Sequence, residues 1–317
     1  MGLAHRYRIV DGKIHNSRCE INVAEHCNLS CRGCSHASPV VPNYFADPDE
    51  LHDSLSFLAR RYHSRQVRLV GGEPLLHPDL LSLVDAVRSS GVTDKVAIVT
   101  NGLLLSRMAP AAWDAVDEVE ISLYPGRSPK QAQYEEIQAL AHRHRVELFP
   151  TRVSQFRESY SERANEDPDL VERIFSSCKI AHQWRCHTVA HGLFFRCPQS
   201  YFLPKLLTNT YVDPHVDGIQ IDGTESFGER LLAYLNSPVP MAACTHCLGT
   251  AGRLMSHVQI RRSEFRTAQD RPAEEMISVR QLHSRLAASG RTPLSSAPAR
   301  LRRATAKLRR RSPTPHE

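Results

Sequence analysis

Five segments with β-strand patterns alternate with helical segments about every 25 residues along the first half of the chain. Short apolar runs predict strands at residues 19–26, 67–70, 96–99, 119–123 and 146–149. The first intervening helix is predicted to start at Asp47 and Pro48, where a capping pattern precedes apolar residues at helical spacing. This alternation predicts an α/β fold with a parallel sheet and right-handed crossovers. An incomplete βα barrel is favoured over a dinucleotide-binding fold, because no G-x-G-x-x-G follows the first strand.

Polar motifs stand where four of these strands end. They are Cys27-Asn28-Leu29-Ser30-Cys31-Arg32-Gly33-Cys34, Gly71-Gly72-Glu73-Pro74, Thr100-Asn101-Gly102 and Ser122-Leu123-Tyr124. In a βα barrel the carboxyl ends of the strands share one face, and that face holds the active site. We therefore expect the four motifs to lie together.

The first motif contains three of the nine cysteines of the chain. Three thiolates bind three irons of a [4Fe-4S] cube and leave the fourth iron open to a ligand. The alternative is a structural zinc site that uses Cys31 and Cys34, although such sites are closed by four protein ligands.

The spacing of Cys27, Cys31 and Cys34 resembles the cluster motif of the radical S-adenosylmethionine (SAM) superfamily, and Gly71-Gly72-Glu73-Pro74 resembles its motif for the SAM amino group. The resemblance covers about residues 19–150. It implies that the three cysteines hold a [4Fe-4S] cluster on which SAM binds. It also implies contacts to SAM from Gly71, Gly72, Glu73, Pro74, Asn101 and Ser122. Two glycines would let backbone approach the ligand, and a carboxylate would pair with an ammonium.

One position departs from the family pattern. The family usually has an aromatic residue just before the third cysteine, where this chain has Gly33. His36 is a candidate to replace the adenine contact that the aromatic residue makes.

A second cysteine set consists of Cys178, Cys197, Cys244 and Cys247. Its spacing resembles the twitch domain, which is related to the SPASM domain and supplies four thiolates to one auxiliary [4Fe-4S] cluster. The chain has no cysteine after Cys247, which favours one auxiliary cluster over two. A structural zinc site in the same place is the alternative, since such thiolate sets suit either metal.

Two cysteines remain. Cys186 lies between two of the expected ligands, and it is a hydrogen donor to a substrate radical, a spare ligand or a small buried hydrophobe. Cys19 is predicted to belong to the core.

The chain divides into five predicted regions. These are an N-terminal hairpin with an Asp11-Gly12 turn (1–18), the partial βα barrel (19–177), the auxiliary-cluster domain (178–260), a C-terminal region with a helix over 272–288 (261–290) and a basic tail (291–317). The tail holds eight Lys or Arg and one Glu, so the net charge of +6 belongs to it and the rest is close to neutral. Its composition predicts disorder, and without interleaved aromatic residues we do not expect nucleic-acid binding.

The N-terminus lacks the pattern of a signal peptide, and no apolar run is long enough to cross a membrane, so a cytoplasmic protein is expected. The resemblance implies an enzyme that reductively cleaves SAM to a 5′-deoxyadenosyl radical, which then removes a hydrogen atom from a substrate. The electron would come from a donor such as flavodoxin or ferredoxin.

Twitch enzymes of this size oxidise sugars and aminocyclitols in antibiotic pathways, and related enzymes epimerise them or modify ribosomally made peptides. About 26 residues precede the first motif, which we expect to be too few for a peptide-recognition domain. The sequence therefore predicts a dehydrogenase or epimerase of a small polar substrate. The alternatives are a peptide-modifying enzyme and a non-catalytic metal-binding protein. Substrate contacts are expected in residues 38–46, in 151–165 and near His187.

Overall fold

A computed structural model describes residues 7–207 and 216–282. The N-terminal hairpin is formed by β1 (Ile9–Val10) and the start of β2 (Lys13–Ala24), which pair antiparallel. Asp11 and Gly12 both have positive φ, at 51° and 76°, as a tight two-residue turn requires. β2 then continues without a break through the first predicted barrel strand.

The predicted alternation of strands and helices is confirmed. After β2 come α1 (Pro48–Ala59), β3 (Tyr62–Gly71), α2 (Leu80–Ser89), β4 (Thr93–Thr100), α3 (Pro110–Ala115), β5 (Glu118–Leu123), α4 (Gln131–His144) and β6 (Glu147–Arg152). β2 to β6 pair in chain order, and every pair is parallel. The helices cover one face of this sheet through an apolar core that includes Ile21, Leu55, Leu69, Val84 and Ile98.

Helix boundaries follow the local signals, with one difference. α1 begins where the sequence predicts, and the Asp47 carboxylate accepts hydrogen bonds from the backbone N–H groups of Asp49 and Glu50. The sequence pattern of residues 106–116 predicts one short helix, but the structure has a 3₁₀ turn (Leu105–Arg107) followed by α3. Pro110 separates the two, because proline cannot donate a hydrogen bond in a helix interior but suits a first turn.

The second half of the chain extends the same sheet. Its elements are β7 (Gln155–Arg157), α5 (Pro168–Ser177), β8 (His187–Ala190), β9 (Leu193–Phe195), α6 (Pro198–Leu206), β10 (Gly218–Gln220), α7 (Phe227–Asn236), β11 (Leu254–Ser256) and α8 (Ala273–Met276). The sequence also predicts a hairpin with a His191-Gly192 turn, and it is present as β8 and β9. β8 pairs parallel with the free side of β2, so residues after 177 share the sheet that carries the first cysteine motif.

Two features near the end of the described chain differ from the sequence-based expectation. β11 pairs with β7 in a separate two-stranded sheet that the sequence does not predict. The helix predicted over 272–288 is interrupted within the described residues: α8 ends at Met276, Ile277 pairs with Gly252, and helical residues resume at 279–282. Ile277 is fully buried in a small apolar cluster, which favours the break. Residues 283–288 and the basic tail 291–317 lie outside the described residues.

Among the described helices none is long and apolar enough to cross a lipid bilayer.

Candidate active site

The motifs that end β2, β3 and β4 are in direct contact. The Gly72 N–H donates to the carbonyl oxygen of Ala24 at 2.7 Å, and the Glu73 N–H donates to that of His26 at 3.0 Å. The Asn101 side-chain amide donates to Asn28 Oδ1 at 2.7 Å. The predicted convergence of these motifs at the carboxyl ends of the strands is therefore present.

The paired glycines are explained by the close approach of β2 to β3. A Cβ on Gly71, whose φ is 143°, would lie 1.9 Å from the carbonyl oxygen of Ala24, and one on Gly72 would lie 2.1 Å from that of His26. The sequence predicts that these glycines admit a ligand. In the structure, the backbone of the cysteine loop occupies the space that a side chain would need.

The Glu73 side chain is fully buried, and protein donors surround it. Oε1 accepts from the Thr100 hydroxyl at 2.7 Å and the Leu75 N–H at 3.1 Å, while Oε2 accepts from the Asn101 N–H at 2.9 Å. Burial raises the pKa of Glu73. The carboxylate thus joins β3 to β4 and caps the 3₁₀ turn that Pro74 begins, whereas the sequence predicts a SAM ammonium as its partner.

Hydrogen-bond donors face two sulfurs of the first cysteine motif. The Leu29 N–H donates to Cys27 Sγ at 3.4 Å, and the Gln259 side-chain amide donates to Cys31 Sγ at 3.0 Å. Burial raises the pKa of Cys27 to about 12 and that of Cys31 to about 11. Deprotonation of these thiols therefore requires a compensating positive charge such as bound iron.

A segment from the far end of the chain covers this motif. The Arg32 N–H donates to the Val258 carbonyl at 3.0 Å, and the Ile260 N–H donates to the Ser30 carbonyl at 2.8 Å. Gln259 Oε1 accepts from the Ser30 N–H at 2.7 Å, which turns the amide nitrogen toward Cys31. The sequence-based predictions do not include this cover. The alternation of Met255, His257 and Gln259 along one side of an extended segment is the signal that points to it.

The same segment explains Gly33. Its φ is 68°, and a Cβ there would lie 2.0 Å from the terminal methyl group of Met255. Met255 therefore fills the space beside the third cysteine. His36, the sequence-based candidate for the missing aromatic contact, packs edge-on against the Phe202 ring at 5.0 Å. Burial and the nearby Arg68 guanidinium lower the pKa of His36 to about 4.

A substitution at Gly33 tests this packing. We expect Gly33→Ala to lower the free energy of unfolding by about 1–2 kcal/mol, because alanine is strained at positive φ and its methyl displaces Met255. In the Met255→Ala background the cost should fall to the backbone strain alone. Urea unfolding of the four proteins of this double-mutant cycle measures the coupling. An additive cycle would contradict contact between residues 33 and 255.

The end of β5 lies beside the same motif. Ser122 is half-buried there, two residues before Tyr124. The Tyr124 ring stacks on His257 at 4.5 Å with an interplanar angle of 12°, and His257 Nε2 lies 3.2 Å from Cys31 Sγ. The fourth strand-end motif is therefore linked to the cysteines through the covering segment.

The second cysteine set also comes together. Cys178 follows α5, Cys197 precedes α6, and Cys244 and Cys247 belong to a 3₁₀ turn and the residues after it. Burial, and then the neighbouring Cys244, Cys178 and Cys197, raise the pKa of Cys247. The Gly249 N–H donates to Cys247 Sγ at 3.3 Å.

The donor chemistry of both cysteine sets fits an iron–sulfur cube. Sets of thiolates also suit zinc, so the zinc alternative for the second set stays open. Buried thiols that receive amide N–H groups fit an iron–sulfur cube, because such hydrogen bonds support its sulfur ligands.

Residues 21–125 match the family model of the radical SAM superfamily. The match covers about a third of the chain. This stretch includes the first cysteine motif and the polar motifs that end β3, β4 and β5, while the second cysteine set lies outside it.

Curated relatives match about a third of the chain. The GTP 3′,8-cyclase of Chlorobaculum tepidum is 36% identical over 104 residues, which are 32% of this chain and 31% of the relative. That of Xanthomonas axonopodis pv. citri is 38% identical over 100 residues, with 30% of each protein covered. Molybdenum cofactor biosynthesis protein 1 of Bos taurus is 32% identical over 112 residues, 34% of this chain and 18% of the relative. The chain thus spans about a third or less of these relatives' length.

Solved structures give weaker similarities. BtrN in complex with AdoMet and 2-DOIA aligns with a TM-score of 0.43 at 14% identity, over 81% of this chain and 88% of that chain. Native anSMEcpe with bound AdoMet and Cp18Cys peptide aligns with a TM-score of 0.34 at 16% identity, over 44% of each chain.

In the matched region, the sheet face opposite the helices carries paired charges. The Arg68 guanidinium forms ion pairs with Glu20, at 3.1 Å, and with Glu120. The Lys95 ammonium lies 2.7 Å from the Glu118 carboxylate. With Arg18, which lies two residues before Glu20 on the same face of β2, three cations meet these three carboxylates, so this part of the face holds no excess positive charge.

The two remaining cysteines lie on opposite faces of the sheet. Cys19 is buried in the core, as predicted. Cys186 is half-buried just before β8, where burial and then Glu20 raise its pKa to about 12, so it is a thiol near neutral pH. The His187 side chain is fully buried and hydrogen-bonds to the Tyr7 hydroxyl, so substrate contacts near His187 stay a prediction for its neighbours.

Proposed function

We propose that the protein is a radical SAM enzyme that removes a hydrogen atom from a small polar substrate, a sugar or aminocyclitol alcohol. The observation that carries the proposal is the contact of the three-cysteine motif with the ends of β3 and β4 within the matched domain. An electron donor such as flavodoxin or ferredoxin is part of the proposal.

When bound, a reduced [4Fe-4S] cluster on Cys27, Cys31 and Cys34 supplies the electron that cleaves SAM to methionine and the 5′-deoxyadenosyl radical. The chain's own residues orient this site. Asn101 links the cysteine loop to β4, and Gln259 fixes the loop from the covering segment. The covering segment also shields one side of the loop from water.

We further propose that residues 178–260 form a twitch-like domain whose four cysteines hold the auxiliary cluster. Cys34 and Cys247 pack against one apolar cluster, which comprises Ala37, Val41, Tyr160, Leu203, Leu206, Ala243 and Phe265. The two cysteine sites therefore border the same apolar cluster, and this proximity supports electron transfer between them.

The auxiliary cysteines favour dehydrogenation over epimerisation. Once a hydrogen atom has left an alcohol carbon, dehydrogenation must also remove one electron and one proton. Epimerisation instead needs a hydrogen atom returned, for which the Cys186 thiol is the candidate on this side of the sheet. The proposed auxiliary cluster would accept the electron, so dehydrogenation is the simpler outcome.

Replacement of Cys186 separates these outcomes. We expect Cys186→Ala to keep substrate turnover within about threefold of wild type, because dehydrogenation does not use the thiol. Turnover and 5′-deoxyadenosine release are measured together, with Cys19→Ala as a control that removes a thiol from the other face. Lost turnover with continued 5′-deoxyadenosine release, in Cys186→Ala alone, would favour epimerisation.

A second candidate is cyclisation of a purine nucleotide, because several relatives are named GTP 3′,8-cyclase. The similarity to the first of them covers about a third of this chain and of that relative, so it does not decide the substrate. The charges of Arg68 and Lys95 are matched by carboxylates on this described face. A triphosphate would therefore find no excess positive charge there. The first candidate is therefore preferred.

Deuterium transfer tests the choice of substrate. Reduced, reconstituted protein is incubated with SAM and substrates that carry deuterium on hydroxyl-bearing carbons, and 5′-deoxyadenosine is analysed by mass spectrometry. We expect label from an aminocyclitol or sugar. Label from ribose-deuterated GTP alone would support the second candidate, and label from a peptide would support peptide modification.

Gln259 is expected to raise the reduction potential of the first cluster, because an N–H donated to a thiolate stabilises the more negative, reduced state. Gln259→Leu should lower the midpoint potential by on the order of 50 mV, measured by redox titration with electron paramagnetic resonance. Gln199→Leu is the matched control, since that amide donates to the Ser35 carbonyl of the same loop and not to a sulfur. An unchanged potential in Gln259→Leu would contradict this role.

A further inference from the structure

The covering segment has an inner and an outer row of side chains. In the inner row, His257 Nε2 lies 3.2 Å and the Gln259 amide nitrogen 3.0 Å from Cys31 Sγ. The alternate residues face away from the cysteine motif, and Leu254 and Val258 are 49% and 43% exposed. One layer of extended chain therefore separates the first cysteine site from an apolar surface.

Three other segments border the covering segment and share its outer surface. β11 pairs with β7, and the His257 N–H donates to the Ser154 carbonyl at 2.9 Å. The Tyr124 ring, directly after β5, stacks on His257. The Arg32 N–H of the cysteine loop donates to the Val258 carbonyl. These contacts join the cysteine loop, the loop after β5, the chain around β7 and the covering segment into one surface.

This surface is basic. Its four segments, residues 27–43, 122–133, 150–157 and 252–263, contain eight Lys or Arg and no Asp or Glu. The cations are Arg32, Arg127, Lys130, Arg152, Arg157, Arg253, Arg261 and Arg262. Four of them are exposed and form no ion pair with any residue that the structure describes, namely Arg127, Lys130, Arg152 and Arg262. Glu264, the next acid along the chain, pairs with Arg261. Such a surface attracts an acidic protein from a distance that depends on the salt concentration.

The second cysteine set borders a stretch of the opposite charge. Residues 162–177 contain five Asp or Glu and two Arg, and the stretch stays negative when its ion pair with Arg266 is counted. It adjoins the cysteines, because the Asn165 N–H donates to the Thr245 carbonyl at 2.8 Å, next to Cys244. An acidic protein is therefore attracted to the first cysteine site and repelled by the stretch beside the second.

We propose that the outer face of the covering segment, with the basic residues around it, is the docking surface of an acidic one-electron carrier protein. The electron then enters the first cluster through the covering segment and not by way of the second cysteine set. The carrier loses one electron, and the oxidised [4Fe-4S] cube on Cys27, Cys31 and Cys34 gains it. The assignment rests on the proposed radical SAM function, which uses one electron for each SAM that is cleaved.

The surface suits a protein better than a nucleic acid. Leu254 and Val258 are aliphatic, whereas the bases of single-stranded nucleic acids stack on aromatic side chains. An apolar centre with polar residues around it is typical of a protein interface. The position of the surface over Cys31 also places a docked carrier where its electron is used.

Two sources of electrons separate docking from chemistry. The holoprotein, reconstituted anaerobically and given SAM, is reduced by a flavodoxin hydroquinone or by dithionite, and 5′-deoxyadenosine is quantified. In Arg127→Glu/Arg262→Glu we expect flavodoxin-driven release to fall by at least about tenfold, because the acidic carrier is repelled. Dithionite-driven release should stay within about twofold of wild type, because dithionite needs no docking surface. Arg65→Glu/Arg143→Glu is the matched control, since it makes the same charge change at exposed positions on β3 and α4.

Equal flavodoxin-driven release in Arg127→Glu/Arg262→Glu and wild type would overturn the proposal. If that variant also loses dithionite-driven release, calorimetric binding of oxidised flavodoxin decides. A Kd about tenfold above that of wild type is expected, and an unchanged Kd would contradict the surface. A single-stranded oligonucleotide that binds more tightly than flavodoxin, with the same dependence on Arg127 and Arg262, would assign the surface to nucleic acid instead.

Cys247→Ala tests the route of the electron. Flavodoxin should remain as effective relative to dithionite as it is in wild type, because the electron does not pass through the second cysteine set. A selective loss of flavodoxin-driven release in this variant would show entry through the second site.

The proposed function is judged separately, by dithionite-driven release in the wild type. Its absence would contradict the radical SAM activity, while flavodoxin binding that depends on Arg127 and Arg262 would still support the surface. Release with dithionite and no flavodoxin binding would overturn the surface alone.

Discussion

Cys31→Ala is expected to remove about four of the eight irons that two cubes would supply, and to abolish release of 5′-deoxyadenosine. Two remaining thiolates, Cys27 and Cys34, are too few to hold a cube with one open iron. Cys31 is also the sulfur that Gln259 and His257 contact, so its loss removes the best-supported ligand. Iron analysis and chromatography of the reaction products measure the two effects.

Cys247→Ala provides the complementary measurement. It should also lose about four irons, while 5′-deoxyadenosine release continues, because SAM is cleaved at the other cluster. Cys19→Ala controls for loss of any buried cysteine and should keep about eight irons. Eight irons in Cys31→Ala, or continued SAM cleavage by that variant, would contradict the assignment of the first cluster. Zinc in place of the second four irons would support the zinc alternative for Cys178 through Cys247.

Glu73→Ala is expected to lower the free energy of unfolding by about 3–5 kcal/mol, because it leaves three buried donors without an acceptor. The donors are the Thr100 hydroxyl and the N–H groups of Leu75 and Asn101. Glu73→Gln keeps one acceptor oxygen and the shape of the side chain, and should cost less. Urea unfolding of the apoprotein measures both, since no ligand contributes there.

The same variants separate a structural role of Glu73 from a role at the ligand. Glu135→Ala is the control, because that glutamate is exposed on α4 and should change stability by less than about 0.5 kcal/mol. If Glu73→Ala were as stable as wild type but bound SAM weakly, the carboxylate would contact the ligand, as the family resemblance implies. Loss of stability in the apoprotein supports the structural role.

The sequence predicts what local patterns encode. The parallel strands, the capped start of α1 and the Asp11-Gly12 turn each follow from residues close together in the chain. The two cysteine sets stand out in the sequence because thiols at such spacings are typical of iron–sulfur ligands. The convergence of four motifs followed from a rule about the carboxyl ends of parallel strands.

The unpredicted features depend on contacts between distant residues. Gln259 contacts Cys31 and Ser30, which lie more than two hundred residues away in the sequence. The local sequence around either position does not predict this contact. The glycine at position 33 is explained by its contact with Met255, which is also distant in the sequence. The local sequence predicts β8 only as half of a hairpin. Its pairing with β2 depends on tertiary packing. Ile277 fits a helical apolar pattern, yet its backbone pairs with Gly252.

Release of 5′-deoxyadenosine most directly tests the claim that this chain is a radical SAM enzyme. Protein reconstituted with iron and sulfide under anaerobic conditions is reduced and given SAM, and the products are quantified by liquid chromatography with mass spectrometry. The expected result is 5′-deoxyadenosine and methionine in equal amounts, from the wild type and not from Cys31→Ala. No 5′-deoxyadenosine from cluster-loaded wild type under any reductant would contradict the claim.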